Sequence, residues 1–269
     1  MEYPLSGDYT FEAVGGNILP VRSFETFDKD TQKWVRGDYM SFADGVTFTV
    51  NEDYKLRAEV NFEYIPSVVH LNAEIYEIKK LCINGTEVEL GANTVLWSEA
   101  DCRCDVTKLL KVGVNTIEID GVTDSIPLFK ARPPFVFFTG KFAVDKNDTV
   151  VRPSDYMYAG GWEKQGYPYF VGDGVYRSGT LVHGMEFNSS AKVWSKAVLK
   201  FKTNCFAKVY VNGQFAGDVL WAPTEIDITP YLHFAHNNFK IVFTSTYANL
   251  FDKHTENGLL EGATIVLYK

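Results

Sequence analysis

The sequence predicts an all-β fold of two tandem antiparallel β-sandwich units built on one template. Three observations predict it. The stretch 208–243, KVYVNGQFAGDVLWAPTEIDITPYLHFAHNNFKIVF, reads as strand, tight turn, strand, loop, short helical turn, strand. The same order of residue classes occurs earlier, in LCINGTEV and DVTKLLKVGVNTIEI. No apolar periodicity supports a helix longer than about two turns, which in a chain of 269 residues leaves strands to build the core.

The later stretch explains itself locally. Val209 and Val211 alternate with polar or half-polar neighbours and run into Asn212-Gly213, a pair that tolerates positive φ at both centres of a hairpin turn. Ile226 and Ile228 alternate next. Thr229 then stands where a cap is needed, and Pro230 where a missing N–H costs nothing. Tyr231-Leu232 supplies about one turn, 236–238 a reversal, and 239–243 the closing strand. In the earlier copy Asn84-Gly85 matches Asn212-Gly213 (212 − 84 = 128). Asp105, Leu110 and Asn115 match Asp227, Leu232 and Asn237 (227 − 105 = 122). Leu71, Ile78, Leu81 and Ile83 fall on Leu199, Phe206, Val209 and Val211 at the first offset. An internal repeat of this kind speaks to architecture more strongly than any single motif.

Elsewhere, YTFEAV before Gly15-Gly16-Asn17 and the apolar piece 18–21 read as short strands, and 28–38 as a polar surface excursion around Trp34. Strands are expected at 46–50, 55–64 and 68–75. In 55–64, Arg57, Glu59 and Asn61 alternate with Ala58, Val60 and Phe62, so one face is packed and the other wet. Lys130 to Pro134 is the expected junction, because its two prolines remove donors and stiffen the chain. The domains are accordingly expected at 1–133 and 134–269. FVFFTGKFAV either opens the second or returns to the first. In the second copy, Gly172-Asp173-Gly174 turns between 169–171 and 175–176, and strands follow at 193–201, 206–211 and 263–268.

Charge excludes some partners. The net charge is −8 with no basic run, which disfavours nucleic acid and anionic membrane surfaces. No apolar run approaches the ~20 residues of a membrane span, and no secretory pattern opens the chain. Either the protein is cytoplasmic, or a leader and further domains precede this segment. Cys82, Cys102, Cys104 and Cys205 read as buried thiols, and reduced thiols lean toward an intracellular setting. Cys102-x-Cys104 is too tight for an ordinary disulfide or zinc knuckle.

Taken together, these motifs resemble the accessory galactose-binding-like jelly rolls of bacterial glycoside hydrolases, in the C-terminal region of rhamnosidase-like and family-two-type enzymes. The residues that carry the resemblance are GWEKQGYPYFVGDGVYR at 161–177, the hairpin at 210–213, Trp221-Ala-Pro223, Asp227 to Thr229, and 237–242. In the first half they are Gly15-Gly-Asn17, Asp105-Val-Thr107, Gly113-Val-Asn115 and 139–142. Ala235 stands where that family has Gly, and the loop 252–254 matches loosely. The family's catalytic machinery lies in a separate barrel, which needs ~250 residues of its own. The resemblance therefore implies a non-catalytic region of a longer glycoside hydrolase, one that binds a plant or host polysaccharide or braces the catalytic domain.

The acidic residues lack a catalytic setting. Glycoside hydrolysis needs two carboxylates across a cleft, whereas Asp173, Asp105, Asp227, Glu256 and Glu261 read as turn-formers and solvated charges. No nucleophile elbow, zinc helix or phosphate loop is present. Of the histidines, only His233 and His236 are close in sequence, and their counterparts Lys111 and Val114 share no metal chemistry. No cofactor is expected, although Glu99, Asp101 and Asp105 form an acidic group that offers oxygen ligands to a structural calcium, against the alternative of a solvated turn. Sugar binding needs an aromatic face and a few polar groups. Trp162, Gln165, Tyr167, Tyr169 and Trp221, with Asn249 behind them, are the carbohydrate-binding candidates. The competing reading makes these aromatics core. Two alternatives remain: a stand-alone hydrolase with its site between the sandwiches, or a pure interaction module marked by a large apolar patch.

Overall fold

In the computed structural model the described residues are 1–5, 7–38, 53–74, 78–91, 101–122, 136–182, 194–246, 248–251 and 256–269. The strand expected at 46–50, the junction 130–134 and Glu99 lie outside them. The protein is all-β. Its helical pieces among the described residues are single turns, Thr107–Leu109, Trp162–Gln165 and Ala248–Phe251. None is long and apolar enough to cross a membrane.

The chain divides into two compact units, and the division differs from the expected boundary at 133/134. An inserted unit comprises Gly16–Pro153; a split unit comprises Met1–Gly15 together with Ser154–Lys269. Strand pairing is the physical reason. Glu2–Pro4 pairs with Glu261–Tyr268, and Tyr9–Ala13 pairs with Tyr156–Met157 and Asp173–Val182. The opening residues thus belong to the later sheets. Conversely Val136–Gly140 pairs with Val69–Glu74 and Asn17–Pro20, so this strand returns to the earlier unit. In chain order the units are nested rather than laid end to end.

The split unit has a four-stranded sheet ordered Glu2–Pro4, Glu261–Tyr268, Lys196–Lys202, Glu225–Asp227. Its second sheet has six strands ordered Tyr156–Met157, Tyr9–Ala13, Asp173–Val182, Ala235–Thr244, Phe206–Val211, Gln214–Val219. Tyr9, Trp162, Tyr176, Leu199, Val209, Ile241, Phe243 and Ile265 form the core of this unit. The inserted unit repeats the order. One sheet runs Asp101–Asp105, Val69–Glu74, Val136–Gly140, Asn17–Pro20. The other is built on Asp53–Phe62, Gly113–Val122, Ile78–Ile83 and Thr86–Glu87, with Ser23–Asp28 against Asp53–Phe62 and Lys33–Asp38 outside it. In Asp53–Phe62 the expected alternation appears: Tyr54, Leu56, Ala58, Val60 and Phe62 are buried, and the residues between them are not.

The turns expected from sequence are matched in both units by the same hydrogen bonds. Asn84-Gly85 and Asn212-Gly213 all have positive φ, at 52°, 79°, 49° and 81°. Asn84 Nδ2 donates to Leu109 O and Asn115 Oδ1 at 2.9 and 2.8 Å; Asn212 Nδ2 donates to Tyr231 O and Asn237 Oδ1 at the same distances. Asn115 and Asn237, both fully buried, tie the following turn through the backbone of Lys111 and Gly113, and of His233 and Ala235. The threonine has another role than the expected helix cap. Thr107 Oγ1 donates to Asp105 and accepts from Val69 N at 2.8 Å; Thr229 Oγ1 donates to Asp227 and accepts from Ala197 N at 2.8 Å. Each Asp-x-Thr thus pins a short edge strand and its turn to the neighbouring strand.

Candidate functional site

The segment 161–177 packs inward. Gly161 leads into the Trp162–Gln165 turn, and Gly166, in the left-handed region, ends it. The Trp162 ring is fully buried, 5.1 Å from the Phe170 ring. A Cβ on Gly174 would lie 2.5 Å from Trp162 Cζ3, so the glycine is what admits the indole. Tyr167 stacks edge-on against Phe11 at 4.8 Å, and burial pushes its hydroxyl pKa up to about 12. Tyr169 and Asn249 are buried as well. Gln165 is turned to its own loop: Oε1 accepts from Tyr158 N at 2.8 Å, and Nε2 donates to Tyr158 O and Gly160 O.

The structure therefore corrects the expected sugar rim. Trp162, Tyr167 and Tyr169 offer no aromatic face to a ligand, Gln165 is engaged with backbone, and Asn249 is internal. Gly and Pro punctuation marks a core plug as readily as a rim loop, so sequence alone left both readings open. Trp221 is the exception, 76% exposed beside Leu220 at 49%. It stands on the loop between Gln214–Val219 and Glu225–Asp227, which Thr224 anchors by donating to Phe201 O.

The acidic candidates are engaged locally. Asp173 accepts from Thr244 Oγ1 at 2.5 Å, Glu256 pairs with Lys164, and Glu261 pairs with Lys202 at 2.7 Å. Asp105 and Asp227 hold their threonines, and those hydrogen bonds lower both carboxyl pKa values. Asp101 is buried. Among the described residues no group of three His, Cys, Asp or Glu side chains comes together as a metal site. His70 lies against Arg103, Nδ1 to guanidinium 3.1 Å, and burial followed by that cation lowers its pKa. His236 contacts Asn238 through Nε2 at 3.0 Å.

Sequence reasoning missed a row of outward side chains on the six-stranded sheet of the split unit: Tyr156, Thr10, Arg177, Lys240, Tyr210 and Phe215, successive partners across all six strands. Lys240 Nζ lies 4.6 Å from the Tyr210 ring centroid, and the Tyr210 and Phe215 rings are 5.3 Å apart. The period-two positions 206, 208 and 210 signalled an outward face; which strands would bring its other members alongside depends on pairing that the sequence does not state locally.

What the fold defines is a non-helical, two-unit sandwich protein. No family model and no curated protein matches the chain. Several similar solved structures are glycoside hydrolases, each matched over part of its length, and another is an anti-sigma factor domain-containing protein, 11% identical, with 93% of this chain and 92% of that one covered and a TM-score of 0.25. The alpha-L-rhamnosidase of Streptomyces avermitilis, complexed with L-rhamnose, is 13% identical, with 97% of this chain and 27% of that one covered and a TM-score of 0.42. A rhamnosidase from Novosphingobium sp. PP1Y is 14% identical, with 81% and 23% covered and a TM-score of 0.34. A glycosyl hydrolase family 2 member from Bacteroides cellulosilyticus DSM 14838 is 10% identical, with 86% and 32% covered and a TM-score of 0.34. The chain thus spans about a quarter to a third of these enzymes.

Proposed function

We propose that this chain is a non-catalytic accessory region of a larger glycoside-active enzyme, which it braces by docking the Leu220–Trp221 loop into an apolar socket of the catalytic domain. The observation that carries the reading is the exposure of Trp221 on an anchored loop, while five of the six aromatic and polar sugar candidates are used internally. Among the described residues Trp221 is the one largely exposed indole, and with Leu220 beside it the pair fits a protein socket better than a sugar, whose hydroxyls need fixing. The engagement of Asp105, Asp173, Asp227, Glu256 and Glu261 with local partners supports the non-catalytic part.

The test is association, by gel filtration and calorimetry, with the catalytic region encoded in the same reading frame. Trp221→Ala is expected to weaken association at least tenfold while leaving the thermal transition of the chain unchanged. Association untouched by the substitution, or turnover of aryl glycosides by the chain alone, would overturn the reading.

A further inference from the structure

Asp53–Phe62, Gly113–Val122, Ile78–Ile83 and Thr86–Glu87 follow one another across their sheet as Asp173–Val182, Ala235–Thr244, Phe206–Val211 and Gln214–Val219 do across theirs, and the rows across these four strands can be compared position by position. In the inserted unit the row runs Glu25, Arg57, Glu118, Cys82, Glu87. Arg57 stands between two carboxylates, and its guanidinium is paired with Glu25. That row satisfies its own cation. At the repeat offsets the split unit has Lys240 for Glu118 (118 + 122 = 240), Tyr210 for Cys82 (82 + 128 = 210) and Phe215 for Glu87 (87 + 128 = 215). Arg177 occupies the place of Arg57, facing Lys240 as Arg57 faces Glu118.

Two cations therefore face each other directly across neighbouring strands, an arrangement that destabilises an antiparallel pair. Glu12 satisfies only Arg177, at 2.9 Å. Among the described residues Lys240 makes no ion pair with a carboxylate and lies instead on the Tyr210 ring. Lys208, one row away, faces Asp218 across the edge strand. These cations stand out on a protein of net charge −8. Exposed aromatics bound the row: Tyr156 is 56% exposed at one end and Phe215 48% at the other. Five strand-to-strand steps separate them, about 24 Å.

We propose that this row is a binding platform for an acidic polysaccharide: uronate carboxylates are held between Arg177 and Lys240, and pyranose faces stack on Phe215 and Tyr156. Charge complementarity selects a carboxylate-bearing chain, because an anion between Arg177 and Lys240 relieves a like-charge contact of which Glu12 compensates only the Arg177 member. Aromatic ends select rings with an apolar C–H face rather than a simple ion. A row spanning six strands selects an extended polymer. The row includes neither Leu220 nor Trp221 and does not rest on the docking role proposed for that loop.

The experiment is affinity electrophoresis and calorimetry of the whole chain with polygalacturonate, using fully methyl-esterified pectin as the uncharged control. Polygalacturonate is expected to bind and to weaken steeply with added salt, and the esterified polymer to bind at least tenfold more weakly. Lys240→Glu restores the charge pattern of the inserted unit; it should lose tenfold or more in affinity while the thermal midpoint stays the same or rises. Phe215→Ala should weaken binding at constant salt dependence. Trp221→Ala should leave polygalacturonate binding unchanged, which separates this platform from the docking loop. Failure to bind polygalacturonate, equal binding of the esterified polymer, or binding indifferent to Lys240→Glu would overturn the proposal.

Discussion

Asn212 donates through Nδ2 to Asn237 Oδ1 at 2.8 Å, and so joins a hairpin turn to a second turn 25 residues further along the chain. Asn237 is fully buried and its side-chain amide makes four hydrogen bonds, two as acceptor and two as donor. Its replacement by alanine strands the backbone groups of His233 and Ala235. We expect Asn237→Ala to destabilise the split unit by about 2–4 kcal/mol, and Asn115→Ala the inserted unit by a similar amount. Urea unfolding followed by tryptophan fluorescence checks this, and each variant should shift one transition rather than both.

Ala235 sits at φ 82°, where its counterpart Gly113 sits at φ 97°. A left-handed alanine carries strain that glycine does not, partly offset by the greater freedom of glycine in the unfolded chain. Ala235→Gly is expected to stabilise by roughly 0.5–1 kcal/mol, and Gly113→Ala to destabilise by about 1–2 kcal/mol. Thermal midpoints measured on both variants decide it, since opposite signs are required.

Trp162 fills the interior of the split unit, so removing it creates a cavity rather than a vacant sugar platform. Trp162→Ala should destabilise by about 3–5 kcal/mol. Gly174→Ala should also destabilise, because the added Cβ meets the indole at 2.5 Å. Chemical denaturation tests both, and a Trp162→Ala protein of undiminished stability would contradict the packing.

Alkali should attack the split unit. Burial raises the hydroxyl pKa of Tyr176, Tyr167 and Tyr9, all three in that unit. A phenol whose folded pKa lies above its unfolded value of about 10 lends stability that is whole below pH 10 and lost as pH rises beyond it. Ultraviolet difference titration should therefore show these tyrosines ionising together with unfolding. Acid works through Asp105 and Asp227, whose threonine hydrogen bonds lower their pKa. Their contribution is present above about pH 4 and lost as pH falls.

The four thiols should resist modification in the native state. All are buried, and burial pushes the Cys102 pKa up to about 12 and raises those of Cys82 and Cys205. A thiolate is the reactive form, so labelling should await unfolding. Cys205 lies in the split unit and the other three in the inserted unit. Mass spectrometry of partly denatured protein should accordingly resolve two labelling steps.

What could be read from the sequence was local. Asn84-Gly85, Asn212-Gly213 and the two Asp-x-Thr motifs act within a few residues or on an adjacent strand, and their chemistry is visible in the residue types. The partner of Tyr9–Ala13 is not, because nothing in those five residues names a strand more than 150 positions away. The expected boundary at 133/134 failed for that reason. The fate of Trp162 was hidden for another: an aromatic between glycines is equally at home against solvent or against Phe170, and the room for the indole comes from the missing side chains of the distant Gly174 and Gly258. Tyr156, Arg177, Lys240 and Phe215 each look unremarkable in sequence and become a row only through pairing.

The nesting of one unit within the other has a consequence for biosynthesis. As the nascent polypeptide leaves the ribosome, residues 16–153 can close on themselves as soon as they emerge, while the opening fifteen residues wait for Asp173–Val182 and, later still, Glu261–Tyr268. At roughly 5–20 residues per second that wait is on the order of ten seconds or more. The unit whose chain starts first is therefore the last to be completed.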